Sequence, residues 1–380
     1  MRTTTNLTFH RPILATSYCD SLEGHGLTDG RSGLFLAAPR RTGKSTFLRE
    51  DLLPAMLHRG WTCIYVDLWA DRSKDPAWLI TNAIKTKIGS FANVISKIAK
   101  TSRLEKINVF GALSLNFESL EFPKELTLTD ALEALTEAGK APVAIVIDEA
   151  QHALSTQAGI DAMFALKAAR DHLNQGSGQQ KLFIVLTGSN RDKLAHLVLK
   201  RTQPFFGSQV TRFPLLGKDF TDAYTDSVNP QLAANNQFSR EDVFEAFKLV
   251  GHRPEMLRNI VAEIALNSGA GHLGEDLKNG AEEIKERMWG AMESELAELS
   301  DSQRVVLETI ISQGRNYVPF SETSMRTYAS LLKQKKVSVP SIQSALDALR
   351  EKGLVWRAAY GDYALEDESL ANWYKARMKG

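Results

Sequence analysis

The segment that most constrains the fold lies at residues 37–46, where the sequence is AAPRRTGKST. An apolar run at 33–36 precedes it, and a helix-forming segment at 47–57 follows it. The predicted order is strand, loop, helix, the context in which backbone N–H groups and the positive end of the helix cradle a phosphate. In such a loop Lys44 reaches the terminal phosphates, and the Ser45 hydroxyl can ligate Mg²⁺. The sequence therefore predicts a nucleotide-binding protein.

The loop departs from the usual pattern G-x-x-x-x-G-K-[S/T] at one position, because Ala38 stands where the first glycine is expected. Alanine is small enough for a close turn, although a positive φ there would be strained. The alternative is a basic turn between an unrelated strand and helix. The residues predicted to bind the nucleotide here are Pro39, Arg40, Arg41, Thr42, Gly43, Lys44, Ser45 and Thr46.

Two carboxylates end a second predicted strand. Residues 142–149, PVAIVIDE, form a run typical of a strand buried on both faces. The carboxyl ends of parallel strands face the ligand crevice, so we expect Asp148 to hold Mg²⁺ together with Ser45. Glu149 is then placed to polarise a water for attack on the γ-phosphate. The alternative is a solvated turn, which the position about 100 residues after a phosphate loop disfavours.

Further buried strands are predicted at 62–68 and 182–188, so the core alternates strands and helices with parallel crossovers. Asn190, or Ser189 beside it, follows the strand at 182–188 and is expected to bond the γ-phosphate or the attacking water. A plain Asx turn is the alternative. A different pattern at about 90–128 indicates an insertion, with a strand or hairpin signature at 107–117.

Composition limits the class of protein. The chain has 380 residues, 43% hydrophobic and 24% charged, which predicts two or three globular domains. Its formal net charge of +1 gives no global attraction to nucleic acid or membrane, so such a partner would need a local patch. The two cysteines lack metal-ligand spacing. No apolar run approaches the ~18 residues of a membrane span, and we expect a cytoplasmic protein without membrane contact.

Together these motifs resemble those of AAA+ ATPases, in the prokaryotic group that includes archaeal-type ATPases and the origin-recognition-like clade. The resemblance spans residues 10–375, about the whole chain. It implies an α/β fold: a P-loop NTPase core with a three-layer parallel sheet, an α-helical lid and a C-terminal winged-helix domain. The expected boundaries are 1–215, 216–295 and 296–380. It also implies ATP and Mg²⁺ as cofactors, with Lys44 and Ser45 as Walker A residues, Asp148 and Glu149 as Walker B residues, and Asn190 as sensor 1.

The same resemblance implies an arginine supplied to a neighbouring subunit's nucleotide, and hence a homo-oligomer when ATP is bound. Arg201 occupies the expected region, with Arg191 and Arg212 as rivals. In the lid, Arg253 is the expected sensor 2 arginine, although Pro254 disturbs the Gly-x-x-Arg helix start of related proteins. Arg258, one turn further on, is the alternative.

The C-terminal segment predicts three helices and a hairpin, which is similar to a winged helix. From 296 to 380 there are 12 Lys and Arg against 10 Asp and Glu, a thin surplus for a groove binder, so either double-stranded DNA or a partner protein fits. The predicted function is an ATP-hydrolysing switch that controls self-association and such binding. The alternative is an ATP-binding scaffold with little turnover. A small-molecule kinase is disfavoured because it would not carry a winged helix.

Overall fold

The computed structural model describes residues 8–25, 29–99, 127–176, 179–189, 191–199, 201, 203–267, 272–359, 362–366, 370 and 374. The chain divides into two compact units. The sheet unit comprises Arg11–Ala37 and Ser45–Phe213, and the helical unit comprises Met1–His10, Ala38–Lys44 and Pro214–Gly380. The three-domain division of the sequence analysis stays a prediction.

The sheet unit contains five parallel strands in the order β2-β3-β4-β1-β5. One strand, β4, therefore lies between β1, which leads into the phosphate loop, and β3, which ends in the two carboxylates. Strands β3 and β4 are buried along their whole length, as their apolar runs predict. The strands are β1 (Leu34–Ala37), β2 (Thr62–Asp67), β3 (Val143–Asp148), β4 (Leu182–Gly188) and β5 (Val210–Arg212).

Helices alternate with these strands along the chain. They are α1 (Pro12–Glu23), α2 (Lys44–Phe47), α3 (Leu53–His58), α4 (Pro76–Ser90), α5 (Ala92–Ala99), α6 (Leu128–Gly139), α7 (Gln157–Leu173) and α8 (Arg191–Leu199). A π-helical segment, Leu48–Leu52, joins α2 to α3, so the helix after the phosphate loop is continuous from 44 to 58. The hydrophobic core is formed mainly by side chains of β2, β3, β4, α4, α6 and α7.

The N-terminal arm differs from its sequence pattern, which indicates a polar, turn-rich segment. The structure has helix α1 there, with Pro12 in its first turn and Gly24 at φ 79° closing its end. Tyr18 and Leu22 are buried on one face, and the Tyr18 ring meets the Phe47 ring edge-on at 5.9 Å. The apolar Ile13 is 86% exposed, so apolar residues are not confined to the buried face and the helical period is weak in the sequence.

Most of the insertion at 90–128 lies outside the described residues, including the strand or hairpin predicted at 107–117. Its beginning is helical, as α5 ends at Ala99. The sequence pattern also favours a strand from Val210 to Leu215, but β5 pairs with β1 only from Val210 to Arg212.

In the helical unit, four helices follow Pro214: α9 (Lys218–Val228), α10 (Arg240–Leu249), α11 (Pro254–Asn267) and α12 (Leu273–Ala297). Phe220, Phe247, Leu257 and Leu277 pack in their shared core. The 25-residue helix α12 also contributes to the next core, which Trp289 and Met292 contact from its second half.

The C-terminal part has three helices followed by a hairpin, the order that the sequence predicts for a winged helix. The elements are α13 (Asp301–Gln313), α14 (Glu322–Leu331), α15 (Val339–Glu351) and the antiparallel strands β6 (Val355–Ala359) and β7 (Asp362–Leu365). Their core includes a hydrogen bond of 2.6 Å between the Tyr317 and Tyr328 hydroxyls.

Candidate functional site: a phosphate loop and a carboxylate strand end

The phosphate loop turns through two residues in the left-handed region. Arg41 has φ 66° and Gly43 has φ 88°, whereas Ala38 is buried and has no positive φ. The strain considered for Ala38 therefore does not arise, because the turn is made further along the loop. Thr42 Oγ1 donates to the Pro39 carbonyl at 2.8 Å and closes the turn.

Lys44 is the first residue of α2 and is 5% exposed, and the backbone N–H groups at this helix start lack helical acceptors. Arg40, Arg41 and Thr46 are exposed. Within the helical unit, Arg41 Nε lies 4.0 Å from Glu255 Oε2 on α11. The loop therefore holds one sequestered cation and two accessible ones.

Asp148 is the centre of the hydrogen bonding at the end of β3. Its carboxylate is 1% exposed. Ser45 Oγ donates to Asp148 Oδ2 at 2.6 Å, and Tyr65 Oη donates to the same oxygen at 3.3 Å. Oδ1 accepts from the Thr187 hydroxyl and, at 2.9 Å, from the Glu149 backbone N–H. These four donors stabilise a buried carboxylate that would otherwise be costly.

Ser45 and Asp148 fit a magnesium ion. Both offer hard oxygen ligands, and Mg²⁺ is typically held by one or two protein groups together with phosphates and water. The described residues contain no cluster of three or more His, Cys, Asp or Glu that could hold a metal. A pair of this kind therefore suits a metal that arrives with a phosphate ligand.

Tyr65 remains a hydrogen-bond donor to Asp148 over a wide pH range. Burial and the negative charge of Asp148 raise the pKa of its phenol, against the lowering effect of Arg49. The Arg49 guanidinium lies 5.0 Å from the Tyr65 ring centroid and 3.6 Å from Asp67 Oδ2. Asp67 pairs with Asp148 in the β2–β3 register, so these groups share one edge of the sheet.

Glu149 has an unusual backbone, with φ 52° and ψ 39°, in the left-handed region that non-glycine residues rarely adopt. Its Oε2 accepts from Ser189 Oγ at 2.7 Å, from Ser189 N–H at 3.3 Å and from Gln151 Nε2 at 2.5 Å. The carboxylate is therefore oriented by the end of β4 and by the 3₁₀ turn Ala150–Ser155.

The predicted arginines occupy different environments. Arg201 and Arg212 are exposed, whereas Arg191 is 6% exposed. Arg253 directly precedes α11 and is half-buried, with Nη1 3.1 Å from Met288 Sδ; Arg258 is also half-buried. Asn190 lies outside the described residues. Their predicted roles stay predictions.

Sequence reasoning gave no role to Thr187, Tyr65 or Gln151. A signal existed for two of them. Thr187 is a polar residue in an otherwise apolar buried strand, and Tyr65 shares a face with Asp67 by the alternation of β2. No local signal marks Gln151 as a partner of Glu149, since the contact depends on the turn after β3.

A parallel sheet with this strand order, a phosphate loop after β1 and a carboxylate pair after β3 defines the P-loop NTPase fold class. No protein-family model matches the chain, and no curated protein matches it. Among solved structures, the Walker-type ATPase PABY2304 of Pyrococcus abyssi is similar, with a TM-score of 0.56 and 20% identity over 98% of both chains. The ORC2 protein of Aeropyrum pernix in its ADP form has a TM-score of 0.54 and 13% identity, over 99% of this chain and 97% of that one.

The predicted resemblance to AAA+ ATPases of the archaeal-type and origin-recognition-like group is thereby confirmed at the level of the fold. The α/β P-loop fold class is confirmed with it. No helix among the described residues is long and apolar enough to cross a bilayer.

Proposed function

We propose that this protein binds ATP with Mg²⁺ at the phosphate loop and hydrolyses it to ADP and phosphate. The contact of 2.6 Å between Ser45 Oγ and Asp148 Oδ2 carries the proposal. These residues lie 103 positions apart in the chain, and the hydrogen bond between them connects the end of the phosphate loop to the acidic end of β3. Hydroxyl and carboxylate oxygens are hard ligands of the kind that Mg²⁺ binds, and this contact brings one of each together.

Several residues of the chain would have separate roles in hydrolysis. Lys44 and the loop N–H groups would grip the β- and γ-phosphates, with Arg40 and Arg41 adding positive charge. Glu149 would orient a water and accept its proton as the water oxygen attacks the γ-phosphorus and the bond to the ADP oxygen breaks. Asn190 would contact the γ-phosphate or this water. Bound Mg²⁺ would neutralise charge on the phosphate oxygens.

An arginine that completes a neighbouring subunit's site has to be exposed. Arg201 meets this condition, as does its rival Arg212, whereas the buried position of Arg191 speaks against that residue. We propose Arg201 for this role, in an assembly of copies that forms with ATP. Arg253, at the start of α11, is proposed to respond to the γ-phosphate within its own chain.

We propose that the nucleotide state is read out by the C-terminal domain, through binding of double-stranded DNA or a partner protein. Lys333, Lys335 and Lys336 are exposed in the loop between α14 and α15. A basic loop beside a helix suits contacts with a phosphate backbone.

Calorimetric titration with ATP and Mg²⁺ tests the binding proposal. Lys44→Ala is expected to weaken binding at least tenfold, because the terminal phosphates lose a buried cation. Lys181→Ala, at an exposed lysine just before β4, is the matched control and should bind as the native chain does. Undetectable binding by the native protein would refute the proposal.

Measurement of phosphate release distinguishes the ATP-hydrolysing switch from the alternative, an ATP-binding scaffold with little turnover. Glu149→Gln should bind ATP and lose at least 10²-fold in turnover, since the amide cannot accept the water proton. Unchanged release in this variant, or negligible turnover in the native chain alongside tight ATP binding, would favour the scaffold.

Measurement of duplex DNA binding over a range of salt concentrations tests the proposed binding of DNA by the C-terminal domain. If the basic loop contacts phosphates, affinity should fall steeply with salt, and the triple change of Lys333, Lys335 and Lys336 to glutamine should flatten the slope by up to about three counterions. A flat salt dependence in the native chain would favour a partner protein instead.

A further inference from the structure

We infer that Gln151 is a positioning residue that holds Glu149 in its working orientation, and that residue 188 is glycine to make room for it. This inference rests on the proposed hydrolysis of ATP. It assigns a role to a side chain that does not itself contact the nucleotide.

Gln151 is 5% exposed and its amide nitrogen donates in two directions. Nε2 lies 2.5 Å from Glu149 Oε2 and 3.3 Å from Ser189 Oγ. Because Ser189 Oγ and N–H also donate to Glu149 Oε2, the three residues form one connected group around a single carboxylate oxygen. We call this group the Glu149 clasp.

Gly188 leaves free the space that the Gln151 amide occupies. A Cβ at residue 188 would lie 2.4 Å from Gln151 Oε1 and 3.3 Å from its Cδ. Gly188 has no positive φ, so an alanine would suit its backbone and only the amide excludes a side chain. The last residue of β4 thus packs directly against the clasp.

The two polar atoms of the Gln151 amide differ in their hydrogen bonding. Gln151 Oε1 is buried without a hydrogen-bond donor among the residues that the structure describes. A buried acceptor without a donor destabilises the fold. The favourable interaction of this side chain is the hydrogen bond from its Nε2 to the Glu149 carboxylate. That cost indicates a functional role for the donor.

Glu149 needs such support because its backbone is left-handed and its side chain has several rotatable bonds. A general base must stay within hydrogen-bond reach of one water, and small displacements from that geometry are costly in rate. Neighbouring hydrogen bonds that lock a rotamer supply this precision.

Gln151→Met tests the role, since it keeps the side-chain length and removes both donors. We expect kcat for ATP hydrolysis to fall by about tenfold to a hundredfold with KM for ATP and calorimetric ATP binding unchanged. Gln157→Met is the matched control, at an exposed glutamine in the first turn of α7, and should keep the native kcat.

Gly188→Ala provides a second route, because its methyl group must displace the Gln151 amide. It should lower kcat as Gln151→Met does, and the double variant should be no slower than either single variant. In a Glu149→Gln background, Gln151→Met should cause no further loss.

These outcomes separate the inference from the function it rests on. If Glu149→Gln abolishes hydrolysis while Gln151→Met and Gly188→Ala keep or raise kcat, the clasp inference is wrong and the proposed hydrolysis stands. Additive losses in the double variant, or a loss of ATP binding equal to the loss of rate, also overturn it. If Glu149→Gln keeps the native rate, the role of Glu149 as general base fails, and the inference fails with it.

Discussion

At the scale of single residues, Asp148 shows how a buried charge is kept in a core. Three hydroxyl groups from three different elements, Ser45, Tyr65 and Thr187, donate to it. Hydroxyl donors can be exchanged for a metal or a water with little rearrangement. The carboxylate is therefore satisfied by donors of the chain itself at the position where we propose that a cation binds.

Thr187→Val tests the structural part of this network. The change removes a hydroxyl from a residue that is fully buried and leaves Oδ1 of Asp148 with fewer donors. We expect a loss of about 1–3 kcal/mol in the free energy of unfolding, measured by denaturant titration.

Thr225→Val is the matched control for this prediction. Thr225 is 1% exposed and its hydroxyl donates to the Thr221 carbonyl at 2.7 Å, so its loss leaves no charge unsatisfied. We expect a smaller loss, of about 1 kcal/mol or less. Equal losses for the two variants would contradict a special role for the bond to Asp148.

At the scale of elements, helix α4 begins where short-range signals predict. Asp75 Oδ1 accepts from Ala77 N–H at 2.7 Å, and Pro76 is in the first turn of α4. Ile80, Ile84 and Ile88 then follow at helical spacing on the buried face. Cap, proline and apolar stripe lie within 14 residues, which is why sequence alone was sufficient to predict this helix.

Asp75→Ala is expected to destabilise the fold by about 1 kcal/mol, because α4 loses its N-terminal acceptor. Asp75→Asn keeps a capping oxygen and should cost a few tenths of a kcal/mol or less. The free energies of unfolding of the two variants provide the comparison. An alanine variant as stable as the asparagine variant would show that the cap contributes nothing.

At the scale of the whole molecule, buried tyrosines link stability to alkaline pH in both units. Burial raises the pKa of Tyr18, Tyr224 and Tyr328 to about 12, against an ordinary value of 10.0. Tyr18 lies in the sheet unit, whereas Tyr224 lies in the core of α9 to α12 and Tyr328 in the core of the C-terminal part, both in the helical unit. The effect therefore does not depend on one local site.

The sign of the dependence follows from proton binding. Between pH 10 and pH 12 the folded chain keeps phenol protons that the unfolded chain has lost, so the free energy of unfolding falls as pH rises. The contribution is complete below pH 10 and amounts to at most about 3 kcal/mol for each phenol. Denaturant titration at pH 8 and pH 11 should show the loss.

Tyr18→Phe removes one of these phenols. The free energy of unfolding of this variant should therefore fall less between pH 8 and pH 11 than that of the native chain. Phenolate absorbance should appear late, together with unfolding. Ionisation of all eight tyrosines near pH 10 in a chain that remains folded would contradict the prediction.

Local features of the chain were predictable because their causes lie a few residues apart. The phosphate loop follows from an apolar run, a basic Gly-Lys-Ser segment and a helix in direct succession. Helix α13 (Asp301–Gln313) follows a local start signal, with Ser300 and Gln303 forming a capping box. Helix α1 lacks so clear a local pattern, because its apolar residues are not confined to one face and Ile13 is exposed.

The sequence by itself determined the class of fold and the two acidic residues at the strand end. Only the tertiary structure decided what surrounds them. The strand order places β2 and β4 on either side of β3, and this brings Tyr65 and Thr187 to Asp148 from 83 and 39 residues away along the chain. The turn after β3 brings Gln151 to Glu149, and the absence of a side chain at Gly188 lets it stay. Such contacts depend on strand pairing and on the shape of the packed core, which no short stretch of sequence encodes.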